Sequence, residues 1–272
     1  TYLIMLICEK YNMDLTLEVW TKVTSTILFR YLSFASISFV LFYVILKKPL
    51  WFRKIQKKMP KITDYRRDIM WSIITIIIFA TIISLTFVKF NHLTNTYNDI
   101  DEYGYPYLFL SFFLMLFIHD TWFYWWHRVM HHPILFKHIH LVHHKSTNPS
   151  PWTAYAFHPF EAIIEVGIHP LLAFTLPIYT PALGIFFIFQ IFYNVYGHLG
   201  FEIYPNGFQK HWLGRWINTS VAHNLHHKKF DGNYGLYLLF WDRLMGTLRK
   251  DTDDAFESTT QKKKLKIYSK LI

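Results

Sequence analysis

Cysteine is almost absent from this sequence, in which Cys8 is the only one among 272 residues. One thiol forms neither an intrachain disulfide framework nor a cluster of thiolate metal ligands. Any metal that this chain binds must therefore be held by imidazole, carboxylate or amide groups. Because the sequence opens on Thr1 and has no clear signal-peptide cleavage site, we expect its N-terminus to be truncated.

Charged residues are scarce as well. They make up 17% of the chain, against about 25% in soluble domains, whereas hydrophobic residues make up 52% and aromatic residues 20%. The net charge is +10, but the basic residues crowd beside apolar segments. This placement favours the anionic face of a membrane over nucleic acid. The composition therefore indicates a membrane protein, and no nucleic-acid partner is expected.

Long apolar runs supply the membrane-crossing segments, which lie at about 23–47, 69–88, 103–118 and 166–201. The first contains Arg30 near one end and no charge between Arg30 and Lys47, and the other three are uncharged. The last run has 36 residues, which as a helix would be about 54 Å long, enough for two short spans. Pro177, Pro181 and Gly184 mark a turn within it, so we interpret it as a helical hairpin. The fold predicted is all-α and polytopic, with about four to five transmembrane or re-entrant helices.

The loops between these runs predict the orientation. Residues 47–68 carry nine Lys and Arg residues, so this loop should face the cytosol. Residues 89–102 carry three acidic residues and one Lys, as expected of the opposite side. Residues 119–160 and 202–272 then lie on the cytosolic side, where we expect a helical, histidine-rich cap. The prediction is a multi-pass protein of the endoplasmic reticulum or of a bacterial inner membrane.

Histidines form three groups in the predicted cap. His127 and His131 are four residues apart, and the pattern H-x-x-H-H occurs twice, at residues 140–144 and 223–227. Residues three and four apart lie on one face of a helix, so each group should present its rings in one direction. Eight imidazoles exceed the four to six ligands that one ion usually takes, so two ions sharing them is the simplest interpretation.

The ligand type alone does not identify the metal, because imidazole binds Fe, Zn, Cu and Ni. A structural zinc site would need four ligands and would usually include cysteine. A pair of redox-active ions would instead allow O2 to attack an unactivated C–H bond. An apolar substrate would explain why such a site lies against a membrane.

The histidine groups and their neighbours resemble the fatty acid hydroxylase superfamily, and most closely its sterol desaturase branch. The resemblance covers about residues 105–248, more than half of the chain. Its motifs are His119-Asp120, Tyr124-Trp125-Trp126-His127-Arg128, His131-His132-Pro133, His140-x-x-His143-His144, Phe157-His158-Pro159-x-Glu161, Gly197-His198-x-Gly200, His223-x-x-His226-His227, Asn233-Tyr234-Gly235 and Trp241-Asp242-Arg243.

This resemblance implies a non-haem di-iron membrane enzyme that uses O2 and two electrons to hydroxylate or desaturate a sterol, fatty acid or related lipid. The cofactor implied is two Fe ions, with Zn possible in the isolated protein. No haem-binding or flavin-binding segment is visible, so a separate electron donor such as cytochrome b5 or ferredoxin is expected. The metal ligands carried over from the family are His127, His131, His140, His143, His144, His223, His226 and His227, with His198 as a ninth candidate.

A second set of residues is expected to support these ligands: His119, Asp120, His158, Glu161 and Asn194. Asn194, one turn before His198, is also a candidate ligand through water. His119 and Asp120 fit two roles equally, orienting a ligand imidazole or capping the third span. Glu165 is expected to have a plain interfacial role. The histidines left without a role are His92, His132, His138, His169 and His211.

The lipid is expected to enter a tunnel between the helices. Aromatic candidates for its lining, for which core packing or an interfacial belt is an equal alternative, are Trp122, Phe123, Trp125, Trp126, Trp152 and Phe157. The domains expected are N-terminal membrane helices with a basic loop (1–104), a catalytic domain (105–250) and a charged tail (251–272).

Two other functions compete with the lipid oxidase. A metal-binding or metal-transporting membrane protein would place its ligands within the spans, near the middle of the bilayer, whereas these groups lie outside the uncharged runs. A zinc hydrolase would need an open zinc site and a nearby general base. Oxygen consumption by the reduced protein would separate the oxidase from both.

Overall fold

The computed structural model describes residues 15–261, which are mostly helical. Cys8, the N-terminal end and half of the predicted charged tail (262–272) lie outside the described residues. The first half contains α1 (Leu15–Phe39, continued by a π-helical turn, Val40–Ile45), α2 (Ile62–Val88), α3 (Gly104–Met130) and α4, a composite of Pro133–Leu135, π-helical Phe136–His140 and Leu141–His144. The second half contains α5 (Pro159–Val166), α6 (Ile168–Thr175), α7 (Thr180–Gly197), α8 (Ser220–Lys229), α9 (Phe240–Leu244) and α10 (Thr252–Thr260).

Short segments connect these helices. Two-residue strands β1 (Thr96–Tyr97) and β2 (Ile178–Tyr179) pair in parallel. The 3₁₀ turns are Trp51–Arg53, Asn91–Leu93, Ile100–Glu102, Pro151–Tyr155, Phe208–Lys210 and Gly214–Trp216.

Four helices are long and apolar enough to cross a membrane: Leu17–Ile45, Ile62–Val88, Gly104–Met130 and Thr180–Gly197. Large apolar side chains point outward from them, such as Phe29, 72% exposed, and Phe113, 66% exposed. Exposed apolar area of this kind is expected where lipid replaces water. The predicted all-α, polytopic membrane fold is confirmed.

Two predicted boundaries differ from the structure. The third span does not end near residue 118, because α3 continues to Met130 and carries His127 in its last turn. In the hairpin, the chain reverses at β2, beside β1, whereas Gly184 lies inside α7. The first arm of the hairpin is divided into the short helices α5 and α6 at Gly167.

The core lies between α1, α2, α7 and the 151–155 turn. Tyr31 and Phe79 pack there against Tyr155 and Val195. A second cluster around Met115, Leu172 and Phe186 joins α3, α6 and α7. Phe157, a member of the first core cluster, lies against His143 of α4, with ring centroids 5.0 Å apart, so this core packs directly against the histidines.

Candidate metal centre

Nine histidines converge at one end of the helix bundle, in two adjoining clusters. We call the first the five-histidine cluster; it consists of His127, His131, His140, His144 and His226. The second, the four-histidine cluster, consists of His143, His198, His223 and His227. Within each cluster, one potential ligand atom per residue lies within 4.8 Å of all the others. The structure therefore brings together all nine histidines that the sequence predicted as ligands.

The local backbone distributes each H-x-x-H-H motif over both clusters. In α4, the π-helical turn ends at His140, and the following α-helical turn carries His143 and His144. His144 joins the five-histidine cluster, whereas His143 faces the four-histidine cluster. In α8, by contrast, it is the middle histidine, His226, that joins the five-histidine cluster. π-Turns are frequent at functional sites, and this one sets the direction of the first ring.

The spacing between ring nitrogens fits a shared metal ion. In the four-histidine cluster, the Nε2 atom of His198 lies 3.3 Å from that of His143, 2.9 Å from that of His223 and 3.2 Å from that of His227. In the five-histidine cluster, the Nε2 atom of His144 lies 3.1 Å from that of His131 and 3.0 Å from that of His226. Nitrogens bound about 2.1 Å from one ion would be separated by about this distance.

Most of the rings are oriented through their other nitrogen. The Nδ1 atom of His127 donates to the carbonyl of Tyr234 (2.9 Å). Three other rings donate through Nδ1 in the same way. His198 donates to the Asn194 carbonyl and His226 to the Gly232 carbonyl, both at 2.8 Å, and His227 donates to the Ser146 carbonyl at 3.1 Å. A donating Nδ1–H fixes the tautomer and leaves the Nε2 lone pair pointing into the cluster.

The electrostatics also suit metal binding. Burial, together with repulsion between neighbouring rings, lowers the pKa of His143, His226 and His227 well below the ordinary histidine value. Burial lowers the pKa of His198 to about 4. The rings are therefore neutral at pH 7, which is the form that coordinates a metal.

The predicted supporting residues lie in different places. Glu161 accepts a hydrogen bond from His140 Nδ1 at 2.7 Å and so contacts a clustered ring directly. Asn194 donates through its side chain to the Ala154 carbonyl and supports His198 through its own carbonyl. His158 caps the start of α5, where its Nδ1 accepts from the Phe160 amide. It contacts no clustered histidine.

His119 and Asp120 have a role that differs from both expectations. The His119 Nδ1 atom lies 3.1 Å from the Tyr237 hydroxyl. Asp120 accepts from the backbone amides of Tyr237 and Leu238 at 2.7 and 3.1 Å. Neither residue orients a clustered ring or caps α3; instead, both join α3 to the loop that follows α8.

Sequence reasoning missed the residues that hold the supporting carbonyls. Asp242 accepts from the amides of Tyr234 and Gly235, at 2.9 and 2.8 Å, and so fixes the loop whose carbonyl orients His127. Asp68 accepts from the hydroxyls of Ser146 and Thr153, both at 2.7 Å, beside the carbonyl that orients His227. Asp242 belongs to the Trp241-Asp242-Arg243 motif, which marked the residue but not its role, whereas Asp68 belongs to none of the motifs.

An apolar cavity of about 300 Å³ lies between α1, α2, α6 and α7. Phe157 lines the cavity, and its ring centroid is 5.0 Å from that of His143. Among the six predicted tunnel residues only Phe157 is part of this lining; Trp122, Trp125 and Trp126 surround a separate outer groove. Glu165, for which a plain interfacial role was expected, lines the same cavity.

The fold is that of an integral membrane protein whose paired histidine clusters have a geometry that suits metal ions, and sequence comparison identifies its family. The profile of the fatty acid hydroxylase family matches residues 112–247, half of the chain. The chain belongs to this family, and the relatives that it matches include sterol desaturases. The matched region contains all nine clustered histidines.

The relatives include proteins named for sterol oxidation. A Delta(7)-sterol 5(6)-desaturase of Gibberella zeae is 35% identical over 56% of this chain and 46% of its own length. Lathosterol oxidases of Rattus norvegicus and Homo sapiens are 29% and 27% identical over 86% and 88% of this chain, and over 75% and 76% of their own lengths. The match thus spans about half of the fungal relative. No solved structure matches the chain.

Proposed function

We propose that this chain is a membrane-bound di-iron oxidoreductase that uses O2 and two electrons to desaturate or hydroxylate a lipid, with sterols as the substrate class. The observation that carries this proposal is the pair of adjoining histidine clusters beside an apolar cavity. We assign the nine clustered histidines as metal ligands, five to one ion and four to the other. Residues 105–250 are then the catalytic part of the chain.

The ligand set favours iron on chemical grounds. Imidazole is a ligand that suits iron, and the clusters contain more rings than a structural zinc site would use. When bound, a pair of irons supplies O2-dependent oxidation of an unactivated C–H bond. The chain itself holds the rings neutral, orients them through backbone carbonyls and Glu161, and keeps bulk water out by burying them.

The sterol assignment rests on the relatives and on the cavity. Proteins named as Delta(7)-sterol 5(6)-desaturase and lathosterol oxidase suggest desaturation of a sterol ring. Removal of two hydrogens from the lipid, with one O2, two electrons and two protons, yields the alkene and two waters. The apolar cavity reaches the four-histidine cluster at Phe157 and would bring a ring carbon close to it.

Electron delivery and orientation complete the proposal. Two electrons must come from a separate donor, such as cytochrome b5 or ferredoxin.

The nine basic residues of the 47–68 loop favour a cytosolic position for the cap, in the endoplasmic reticulum or a bacterial inner membrane. Metal transport is not favoured, because the clusters lie at one end of the bundle rather than near the bilayer midplane.

The first prediction concerns metal content. Protein purified in detergent should contain about two irons per chain, measured by elemental mass spectrometry. The double variant His143→Ala/His226→Ala removes one ring from each cluster, so it should lose most of this iron. It should also lose O2-dependent conversion of a Δ7-sterol in the presence of an electron donor.

The control is His211→Ala, which removes a histidine that belongs to neither cluster. It should retain both iron and turnover. One metal per chain, or undiminished sterol oxidation by the double variant, would contradict the proposal. Two zincs that exchange for iron under reducing, anaerobic conditions, with activity restored, would support it.

A further inference from the structure

The cavity beside the four-histidine cluster has a mixed lining, apolar over most of its surface but with several polar side chains, among them Lys22, Arg30, His119, Glu165, His169 and Gln190. Most of its lining is hydrocarbon, including Val23, Ile83 and Leu183. Glu165 and His169 interrupt this lining from the α5–α6 side. They are four residues apart on two helices that are joined at Gly167.

Neither of these polar side chains has a partner within residues 15–261. The Nδ1 atom of His169 is buried without a hydrogen bond, and the ring lies between Phe87 and Phe187, with centroids 5.2 and 5.1 Å away. Glu165 makes no hydrogen bond or salt bridge in the same part of the chain. His169 is 5% exposed, and an unpaired buried polar group costs about 1–3 kcal/mol.

The two groups together define the chemistry of a ligand. A carboxyl group and an imidazole are both satisfied by a hydroxyl, which can donate to the first and accept from the second. Lys22, which is paired with Glu18, and Arg30 line the same cavity, so its charge is mixed. A neutral hydroxyl is compatible with both signs of charge, whereas a carboxylate or phosphate placed beside Glu165 would meet a like charge. The cavity therefore suits a lipid with a single hydroxyl on a large apolar body.

The position of Glu165 and His169 favours a compact ring system over an acyl chain. Glu161 bonds to the clustered ring of His140, and Glu165 follows one helical turn later, about 6 Å along the axis. A hydroxyl bound there is close to the histidines. In a sterol only a few bonds separate the hydroxyl from ring carbons 5 and 6, whereas the oxidised carbon of a long acyl chain would lie far from its headgroup.

We propose that Glu165 and His169 bind the hydroxyl group of a sterol in this cavity and thereby determine specificity for hydroxylated, rigid lipids. This inference rests on the proposed function as a lipid oxidase. It adds a binding site for the hydroxyl and makes these two residues the determinants of substrate choice.

The test measures binding, so it does not depend on turnover. Displacement of a fluorescent sterol from the detergent-purified protein would give affinities for a Δ7-sterol and for its analogue with hydrogen in place of the hydroxyl. Wild type should prefer the hydroxylated sterol by about ten-fold or more, as expected for a hydrogen bond to a polar, buried group. Glu165→Leu should reduce this preference to nearly one, and Glu165→Gln should retain part of it.

Gln190→Leu is the matched control, because Gln190 is another polar residue of the cavity and accepts from the Tyr155 hydroxyl. It should alter the affinity for both ligands by the same factor. Since Glu165 is unpaired, Glu165→Leu should also unfold at the same or a higher temperature than wild type, which excludes misfolding as the cause.

The outcomes separate this inference from the proposed function. Loss of hydroxyl preference in Glu165→Leu alone would support the inference, whether or not turnover is observed. Sterol oxidation with the preference intact in Glu165→Leu would leave the oxidase standing and overturn the hydroxyl site. Loss of preference in Gln190→Leu instead would overturn it too, by moving the hydroxyl to the opposite wall.

Discussion

Glu161 is a positioning residue for the five-histidine cluster. Its Oε1 atom lies 2.7 Å from His140 Nδ1, and the two residues are 1% and 2% exposed. A carboxylate in this position fixes the ring with its Nε2 atom turned towards the cluster and raises the basicity of that nitrogen. No backbone carbonyl is bonded to this ring among the described residues, so Glu161 carries the whole task.

The second prediction follows from this contact. Glu161→Ala should weaken iron binding about 10–100-fold, the usual effect of removing an outer partner of a ligand histidine. Competition with a soluble chelator, monitored by elemental analysis, would measure the loss. Glu161→Gln keeps an oxygen acceptor for the Nδ1–H and should retain part of the affinity. Wild-type affinity in Glu161→Ala would show that the contact does not support the ligand.

The convergence of these histidines could be predicted from sequence, but their division between the clusters could not. Successive residues of a helix are rotated by about 100°, so residues four apart diverge by about 40° and adjacent residues by the full 100°. His223 and His227 accordingly share one cluster, and His226 faces the other. The prediction that each motif presents all its rings in one direction is therefore wrong. Rotation of neighbouring rings, together with the π-turn at His140, divides them instead.

At the level of elements, the loop between α8 and α9 is held from two sides. Asp242 accepts from two of its amides and from the Thr247 hydroxyl, at 2.7 Å, while Asp120 reaches it from α3. The loop in turn supplies the carbonyls of Gly232 and Tyr234, which orient rings of the five-histidine cluster. The rings of His127 and His226 are therefore oriented by backbone carbonyls of this loop and not by side chains.

The third prediction tests this loop. Asp242→Asn turns an amide NH2 towards backbone N–H groups that need an acceptor, which should cost about 1–3 kcal/mol. The unfolding midpoint should fall, and iron should be lost to a chelator more readily than from wild type. Asp251→Asn is the control, since Asp251 is 47% exposed in its ion pair with Arg249 and should change stability by less than about 1 kcal/mol. Equal behaviour of the two variants would exclude a special role for the loop.

The helices themselves were more predictable than this loop. The apolar runs of the sequence predicted the spans, because a stretch of about twenty apolar residues is typical of a membrane-crossing helix. The carbonyls of Ser146, Gly232 and Tyr234 have no such signature, since every residue has one. The position of Glu165 in the cavity lining has no sequence signature either. Hydropathy shows that a carboxyl group is near a membrane segment but not whether it faces lipid, water or an internal cavity.

In the whole molecule, Lys54 connects three distant parts of the chain. Its side chain is 0% exposed, and its Nζ atom lies 3.4 Å from Asn148 Oδ1 and 5.4 Å from the centroid of the Phe201 ring. Gly200 permits this approach, because it has a φ of +71° and a Cβ at that position would lie 3.0 Å from Nζ. The connection between the first two spans is thereby packed against the turn that follows α7.

The fourth prediction concerns the pH dependence of stability. Burial, reinforced by the nearby Lys57, lowers the pKa of Lys54 from 10.5 to about 8. Between these values the unfolded chain binds more protons than the folded one, so the free energy of unfolding rises with pH. Lys54→Met removes this dependence. The variant should be more stable than wild type at pH 7, by roughly 3 kcal/mol at most, and the difference should shrink towards pH 10.

Unfolding midpoints of both proteins in detergent, measured at equal metal content from pH 7 to 10, would give this difference directly. Other groups titrate in the same range, but they are common to both proteins and cancel in the comparison. Lys58→Met replaces an exposed lysine of the same loop, so its profile should follow that of wild type. Parallel profiles for wild type and Lys54→Met would mean that the amine reaches water in the folded state. The packing of the first loop against the cap would then be looser than the buried contacts of Lys54 imply.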